Sequence, residues 1–103
     1  MRILFDQGTP VPLRRHLPPN STDTANEKGW GNLSNGDLLA IAESSGYDLL
    51  VTTDQNLRYQ QNLSDRKIAI VVLLRPSWPE LKFRVDEIIP HILEASAGAY
   101  TEI

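Results

Sequence analysis

The sequence predicts an α/β protein: a three-layer α/β/α sandwich around a mostly parallel four-stranded sheet, formed by residues 1–103 as one domain. Three observations lead there. Short apolar runs recur along the chain, "RILF" (2–5), "DLLVTT" (48–53) and "KIAIVVLL" (67–74), and none alternates with polar residues. Continuous apolar runs mark strands covered on both faces, as in a parallel sheet between helices. Helix-forming segments separate those runs, and such alternation is the pattern of an α/β fold. A chain of 103 residues also has material for one modest core and hardly more.

The first strand, residues 2–5, runs into Asp6. "TPVPLRRHL" then places Thr9 before Pro10 and sets Leu13 and Leu17 four apart, predicting a short helix that ends at Pro18-Pro19. "STDTA" (21–25) is polar and Thr-rich, as suits an edge strand. Residues 26–36, "NEKGWGNLSNG", carry three Gly and three Asn and read as a mobile loop. "SNGDLLAIAESSG" gathers Leu38, Leu39, Ile41 and Ala42 on one side, with Gly46 as its C-terminal stop. The strand at 48–53 leads into "DQNLRYQQNL", a shorter helix or turn, and the strand at 67–74 follows. "SWPELKFRVDEIIPHILEA" opens with Ser77 and Glu80 in capping-box spacing. Pro90 should kink or break that helix, because it has no N–H and clashes with the preceding turn.

Composition removes several classes of function. With no Cys, disulfide scaffolds, thiolate zinc sites and thiol nucleophiles are excluded. No segment approaches the roughly 20 apolar residues of a membrane span, and the apolar run of "MRILFDQGTP" is too short for a signal peptide. A cytoplasmic protein without membrane attachment is the expectation. Net charge is −3 and the sequence pI about 5.2, so no global field attracts a polyanion. A polyanionic substrate would need a bound cation or a local patch, for which the candidates are Arg14, Arg15, Arg58 and Arg66-Lys67.

Topology gives three acids a common address. In a βαβ unit of the usual right hand, a helix leaves from the carboxyl edge of the strand before it. Asp6 and Asp54 directly follow strands, and Asp37 lies in the first turn of a helix that leads into one. All three belong at the carboxyl edge, where ligands bind in open parallel sheets. Each also has a capping reading: Asp37 stands in S-x-x-D spacing after Ser34, Asp54 precedes a helix, and Asp6 can turn the chain. Gathered carboxylates repel, by about 4 kcal/mol for two unit charges at ~4 Å and an effective dielectric of about 20. Helix N-termini offset only about 0.3–1 kcal/mol each. The acids are therefore spread along the rim or share a divalent cation. Carboxylates and water select a hard ion, Mg²⁺ or Mn²⁺, and that donor set suits phosphodiester hydrolysis. His16 and His91 lack ligand spacing to one another and read as structural.

"ILFD", "SNGDLLAIAE" and "LLVTTDQNL" together resemble the PIN domain family, in particular its short bacterial PIN-like branch. The likeness spans roughly residues 2 to 75 and lies in the order and spacing of loose motifs: a strand ending in Asp, a helix opened by Asp, a strand running into Thr-x-Asp. It implies a PIN-like fold and a Mg²⁺- or Mn²⁺-dependent ribonuclease site with Asp6, Asp37 and Asp54 as its acids. It further implies a VapC-like toxin, active on RNA, held by a small antitoxin and assembled as a homodimer. The sequence departs from the pattern at Asp6-Gln7-Gly8, where many relatives carry Asp-Glu-Asn. Glu27 is the one stand-in for the fourth acid of larger relatives.

Thr53, Asn56 and Arg58 are possible accessory residues. Thr52 and Thr53 can orient a water or simply suit a strand end. Arg58, at i+4 from Asp54, can pair with that acid or reach a phosphate, pairing being the expectation. Trp30 can stack on a base or plug the loop onto the core, the latter preferred, and Trp78 and Phe83 are expected to pack on the sheet or a partner subunit. Two other functions compete with the nuclease: a catalytically weak or inactive PIN-like binding module, and a receiver-like phosphoacceptor using Asp54. The single acid after the first strand and the want of a fifth strand count against the receiver.

Overall fold

Strand residues in this chain divide strictly by parity, and that division builds the layers. In the computed structural model, which describes all residues 1–103, β1 (Ile3–Phe5), β2 (Thr22–Thr24), β3 (Leu49–Thr52), β4 (Ala69–Val72) and β5 (Tyr100–Glu102) form one sheet in the order β2-β1-β3-β4-β5. Every pairing is parallel. Successive side chains point to opposite faces. Ile3, Phe5, Leu49, Val51, Ala69 and Val71 therefore enter one core, with Leu13, Leu81, Ile88 and Ile92. Leu4, Leu50, Ile70 and Val72 enter the other, with Leu38, Leu39, Ala42 and Leu57. The three-layer α/β/α arrangement is as expected; the sheet has five strands and not four.

β5 is the strand the sequence conceals. "YTE" has no apolar run, and its three residues are only half-buried at the sheet edge. Pairing with β4 makes it a strand: Ile70 donates to the Ala99 carbonyl at 2.9 Å and Leu74 to the Ile103 carbonyl at 2.8 Å. The opposite edge strand, β2, is where the Thr-rich segment was expected.

The helices follow from local chemistry with some revisions. Residues Val11–His16 form a 3₁₀ helix rather than an α-helix; Pro10 precedes it and Pro12 lies within it, and Leu13 is its buried anchor. Helix α1 (Asn35–Ser44) buries Leu38, Leu39 and Ala42, with Ile41 only partly covered. Ser34 caps it by accepting the Asp37 amide at 3.2 Å, and Gly46 ends it at φ +86°, a backbone state that costs other residues about 1–2 kcal/mol. Helix α2 (Leu57–Gln60) is one turn long. The long C-terminal helix divides into α3 (Trp78–Leu81), a 3₁₀ turn (Lys82–Arg84) and α4 (Val85–Leu93). The break falls before Val85 and not at Pro90, which sits inside α4 and removes only the bond to the Asp86 carbonyl one turn back. Ser77 makes no side-chain cap bond, so the capping-box spacing there is not used.

Segment 26–36 is less loose than its composition suggests. Thr24 donates its amide to Glu27 Oε1 at 2.9 Å, and the Glu27 amide donates to Thr24 Oγ1 at 3.1 Å, a reciprocal capping pair. Trp30 packs on the core with its ring edge-on to Tyr47 at 6.2 Å, which is the plugging role. Trp78 also packs on the core, whereas Phe83 is 82% exposed and packs on nothing in the sheet. No helix is long and apolar enough to cross a membrane.

The connections are not all of one hand. The first three crossovers use the 3₁₀ helix on one face while moving toward β2, and α1 and α2 on the other face while moving toward β4. These share a hand. The last crossover continues outward to β5 but carries α4 on the face of the 3₁₀ helix, so its hand is opposite. Handedness rules assume a helix that packs directly back on its own strand pair. Here α4 packs beside the 3₁₀ helix and shares one core with Leu13 and the apolar side chains of β1, β3 and β4.

Candidate functional site

β1 leads the chain outward to β2, while β3 lies on the other side of β1. The direction of winding reverses between β1 and β3, and the crevice beyond their carboxyl ends is the switch point of the sheet. Asp6 leaves β1 there and Thr52-Thr53-Asp54 leaves β3.

Asp6 is 7% exposed and held from both sides. Its amide donates to the Val51 carbonyl at 3.0 Å, continuing the ladder one residue past the strand. Thr52 donates its hydroxyl to Asp6 Oδ2 at 2.5 Å. The Thr53 amide lies 3.4 Å from the same oxygen. The Thr9 hydroxyl is 2.7 Å from Asp6 Oδ1 and 2.9 Å from the Val51 carbonyl, so its one proton serves two acceptors. Thr9 stands three residues after Asp6, a local turn spacing, whereas nothing local marks Thr52 as a partner of Asp6.

Asp54 is half-buried and connected to the same chain of contacts. Its amide donates to Thr52 Oγ1 at 3.1 Å, so one hydroxyl accepts from Asp54 and donates to Asp6. Asp54 Oδ1 accepts the Asn56 amide at 2.9 Å, an Asx turn that leads into α2. The expected N-cap role is thus replaced by a turn two residues ahead of the helix. Asn35, in the first turn of α1, donates its side-chain amide to Asp54 Oδ2. Asn35 went unrecognised in the sequence, although its place beside Asp37 in "SNGD" put it on the same rim.

Asp37 is exposed, and its amide, not its carboxylate, makes the bond to Ser34. Glu27 does not join the others: its carboxylate pairs with Arg14 at 2.6 Å and takes the Thr24 amide. The Arg14 guanidinium, helped by that amide, holds Glu27 below the usual carboxylate range. Arg58 does not pair with Asp54 either. It lies 3.4 Å from Glu102 at the end of β5 and donates to the Tyr59 hydroxyl at 2.6 Å. Asn56 contributes its amide, and Thr53 lies over Gly8, where a Cβ would collide with Thr53 Oγ1. That close approach gives Gly8 a physical reason to stand where the resemblance expects a side chain. His16 and His91 are exposed and take no part.

No set of three or more His, Asp or Glu side chains is gathered tightly enough to hold a metal ion as the side chains stand. Yet none of Asp6, Asp37 and Asp54 has a basic partner; the four ion pairs are Arg14–Glu27, Arg58–Glu102, Arg66–Glu43 and Arg84–Glu87. The donors at the switch point are hard oxygens, two carboxylates and a hydroxyl; Asp6 Oδ2 already takes the Thr52 hydroxyl and faces the Thr53 amide, whereas Asp6 Oδ1 and both Asp54 oxygens each accept one internal bond. Mg²⁺ takes one or two carboxylates and retains water, and Asp6 and Asp54 are oxygen donors of the type it takes. The one cavity, about 500 Å³, runs along the β2 edge beside Arg14, Pro18 and Asp23 and contains none of the three acids.

Fold and rim define an α/β protein whose carboxyl-edge acids lack cationic partners. Compared with family models, curated proteins and solved structures, the chain matches none.

Proposed function

We propose that this chain is a PIN-like, metal-dependent ribonuclease that cleaves RNA phosphodiester bonds at the rim between β1 and β3. The observation that carries the reading is the Asp6–Thr52–Asp54 chain of contacts at the switch point, without a basic partner for either acid. Asp6 and Asp54 would hold Mg²⁺ or Mn²⁺, with Asp37 beside them on the rim. Thr52 fixes the rotamer of Asp6, and Asn35 that of Asp54. A bound ion there would lower the pKa of a water and stabilise charge on the phosphoryl oxygens. RNA as the particular substrate, a small antitoxin, a homodimer and a cytoplasmic location rest on the resemblance and the composition.

The test pairs Mn²⁺ calorimetry with RNA cleavage for the parent and for Asp54→Asn. Loss of both heat and cleavage in a folded variant supports the reading. Equal activity in variant and parent sinks it.

A binding module is the second reading, favoured because hydroxyls already engage both oxygens of Asp6. Carboxylate-independent titrations with no Mn²⁺ uptake would establish it over the nuclease. The receiver reading loses one objection, since a fifth parallel strand exists. The single acid after β1 still opposes it, and failure to label with a small phosphodonor would end it.

A further inference from the structure

One turn beyond Asp54, α2 carries an exposed aromatic ring that the fold itself does not use. Tyr59 is 73% exposed, whereas the other two tyrosines are buried or half-buried. Exposed single apolar residues need no explanation in general. Tyr59 differs because its position is secured. The Arg58 guanidinium lies over its ring, 4.7 Å from the centroid, and donates to its hydroxyl at 2.6 Å. Arg58 is in turn held by Glu102 at 3.4 Å and lies 5.8 Å from the Tyr100 ring. The sequence of contacts runs from β5 through Arg58 to Tyr59 and keeps the ring at the carboxyl rim. Asp54 and Tyr59 are joined by the same short segment, through the Asx turn at Asn56 and the Tyr59 amide bond to the Asn56 carbonyl at 3.0 Å.

We propose that Tyr59, braced by Arg58, is a stacking platform that takes a nucleobase of the RNA whose phosphate lies at the Asp6–Asp54 rim. The proposal rests on the ribonuclease reading and names a substrate-binding residue for it. A ring with one face against a guanidinium has its other face for a base, and such stacking tolerates any base because each has a π-face. The guanidinium neutralises part of the field of an acidic protein where a polyanion must approach. Stacking also selects unpaired RNA, since bases in a duplex have no free face.

The experiment measures binding of a short fluorescent single-stranded oligoribonucleotide, and of its duplex, to Asp54→Asn protein in a chelator. It also measures Mn²⁺-dependent cleavage by protein with all acids intact. Both are repeated with Tyr59→Ala, Tyr59→Phe and Arg58→Gln. Tyr59→Ala should weaken single-strand binding about 5- to 150-fold and raise KM more than it lowers kcat. Tyr59→Phe should stay within about twofold, because the ring remains. Arg58→Gln should fall between them. Duplex binding should be unaffected by any of the three. A parent that cleaves while Tyr59→Ala binds equally well overturns the platform and leaves the nuclease. A parent that binds through Tyr59 but never cleaves overturns the nuclease and leaves the platform as a binding surface. No single-strand binding by the parent overturns the proposal.

Discussion

Thr52 is a single residue with two duties, and its replacement separates structure from chemistry. Its buried hydroxyl accepts from the Asp54 amide and donates to Asp6. Thr52→Val keeps the shape and removes both bonds, leaving Asp6 short of a donor. The expected loss is about 1–3 kcal/mol in urea denaturation, as for a buried polar group left unsatisfied. Thr52→Ser should recover most of it; equal stability of all three proteins would show that the contact contributes nothing. Tyr47 offers a pH signature on the other face. Burial first, and then its 2.6 Å bond to Asp23, push the phenol up to about 12. The folded state therefore favours the protonated phenol. Its contribution is complete below the unfolded value of about 10 and is lost as pH rises toward the folded one. Stability measured across that alkaline window should fall for the parent and fall less for Tyr47→Phe.

At the scale of elements, helix ends were legible and helix kinds were not. Ser34 and Gly46 bracket α1 as their chemistry requires, because a cap and a left-handed stop are local properties. Gly46→Ala should cost about 1–2 kcal/mol, read as a lower urea midpoint at unchanged slope. The strain is local: the φ is +86° and the added Cβ would also meet Arg2 Nη1 at 3.1 Å. An unchanged midpoint would mean that the turn relaxes. The C-terminal segment shows the opposite case. Its buried residues Leu81, Val85, Ile88 and Ile92 keep an unbroken α-helical spacing, and no residue near Arg84 announces the 3₁₀ turn before Val85. Similarly, Ser77 and Glu80 have capping-box spacing without the bond, while Thr24 and Glu27, where the β2 strand passes into the segment that reads as loop, do make one.

Across the whole molecule, two cores separated by the sheet set what can be changed. Ile88 is fully buried under the strands, and Ile88→Ala should cost about 2–5 kcal/mol. Phe83, 82% exposed and packed on nothing in the sheet, should tolerate Phe83→Ser within about 0.5 kcal/mol. Chemical denaturation of the two variants checks both. Reversal of that order would mean that Phe83 is covered in solution and that the expectation of a partner subunit there was sound. The rim is likewise a property of the whole: β1, β3 and α1 come from distant parts of the chain, and only their packing brings Thr52 to Asp6 and Asn35 to Asp54.

By itself the sequence determined the alternation of elements, the parallel three-layer arrangement, and the carboxyl edge as the place where Asp6, Asp37 and Asp54 lie. Those follow from apolar periodicity and strand direction, which are local and additive. Tertiary structure decided the rest. It drew β5 out of a segment with no strand pattern, gave Glu27 to Arg14 and Arg58 to Glu102, and surrounded Asp6 with threonine hydroxyls. Which partner a polar side chain takes depends on distances between elements, and no spacing along the chain encodes those.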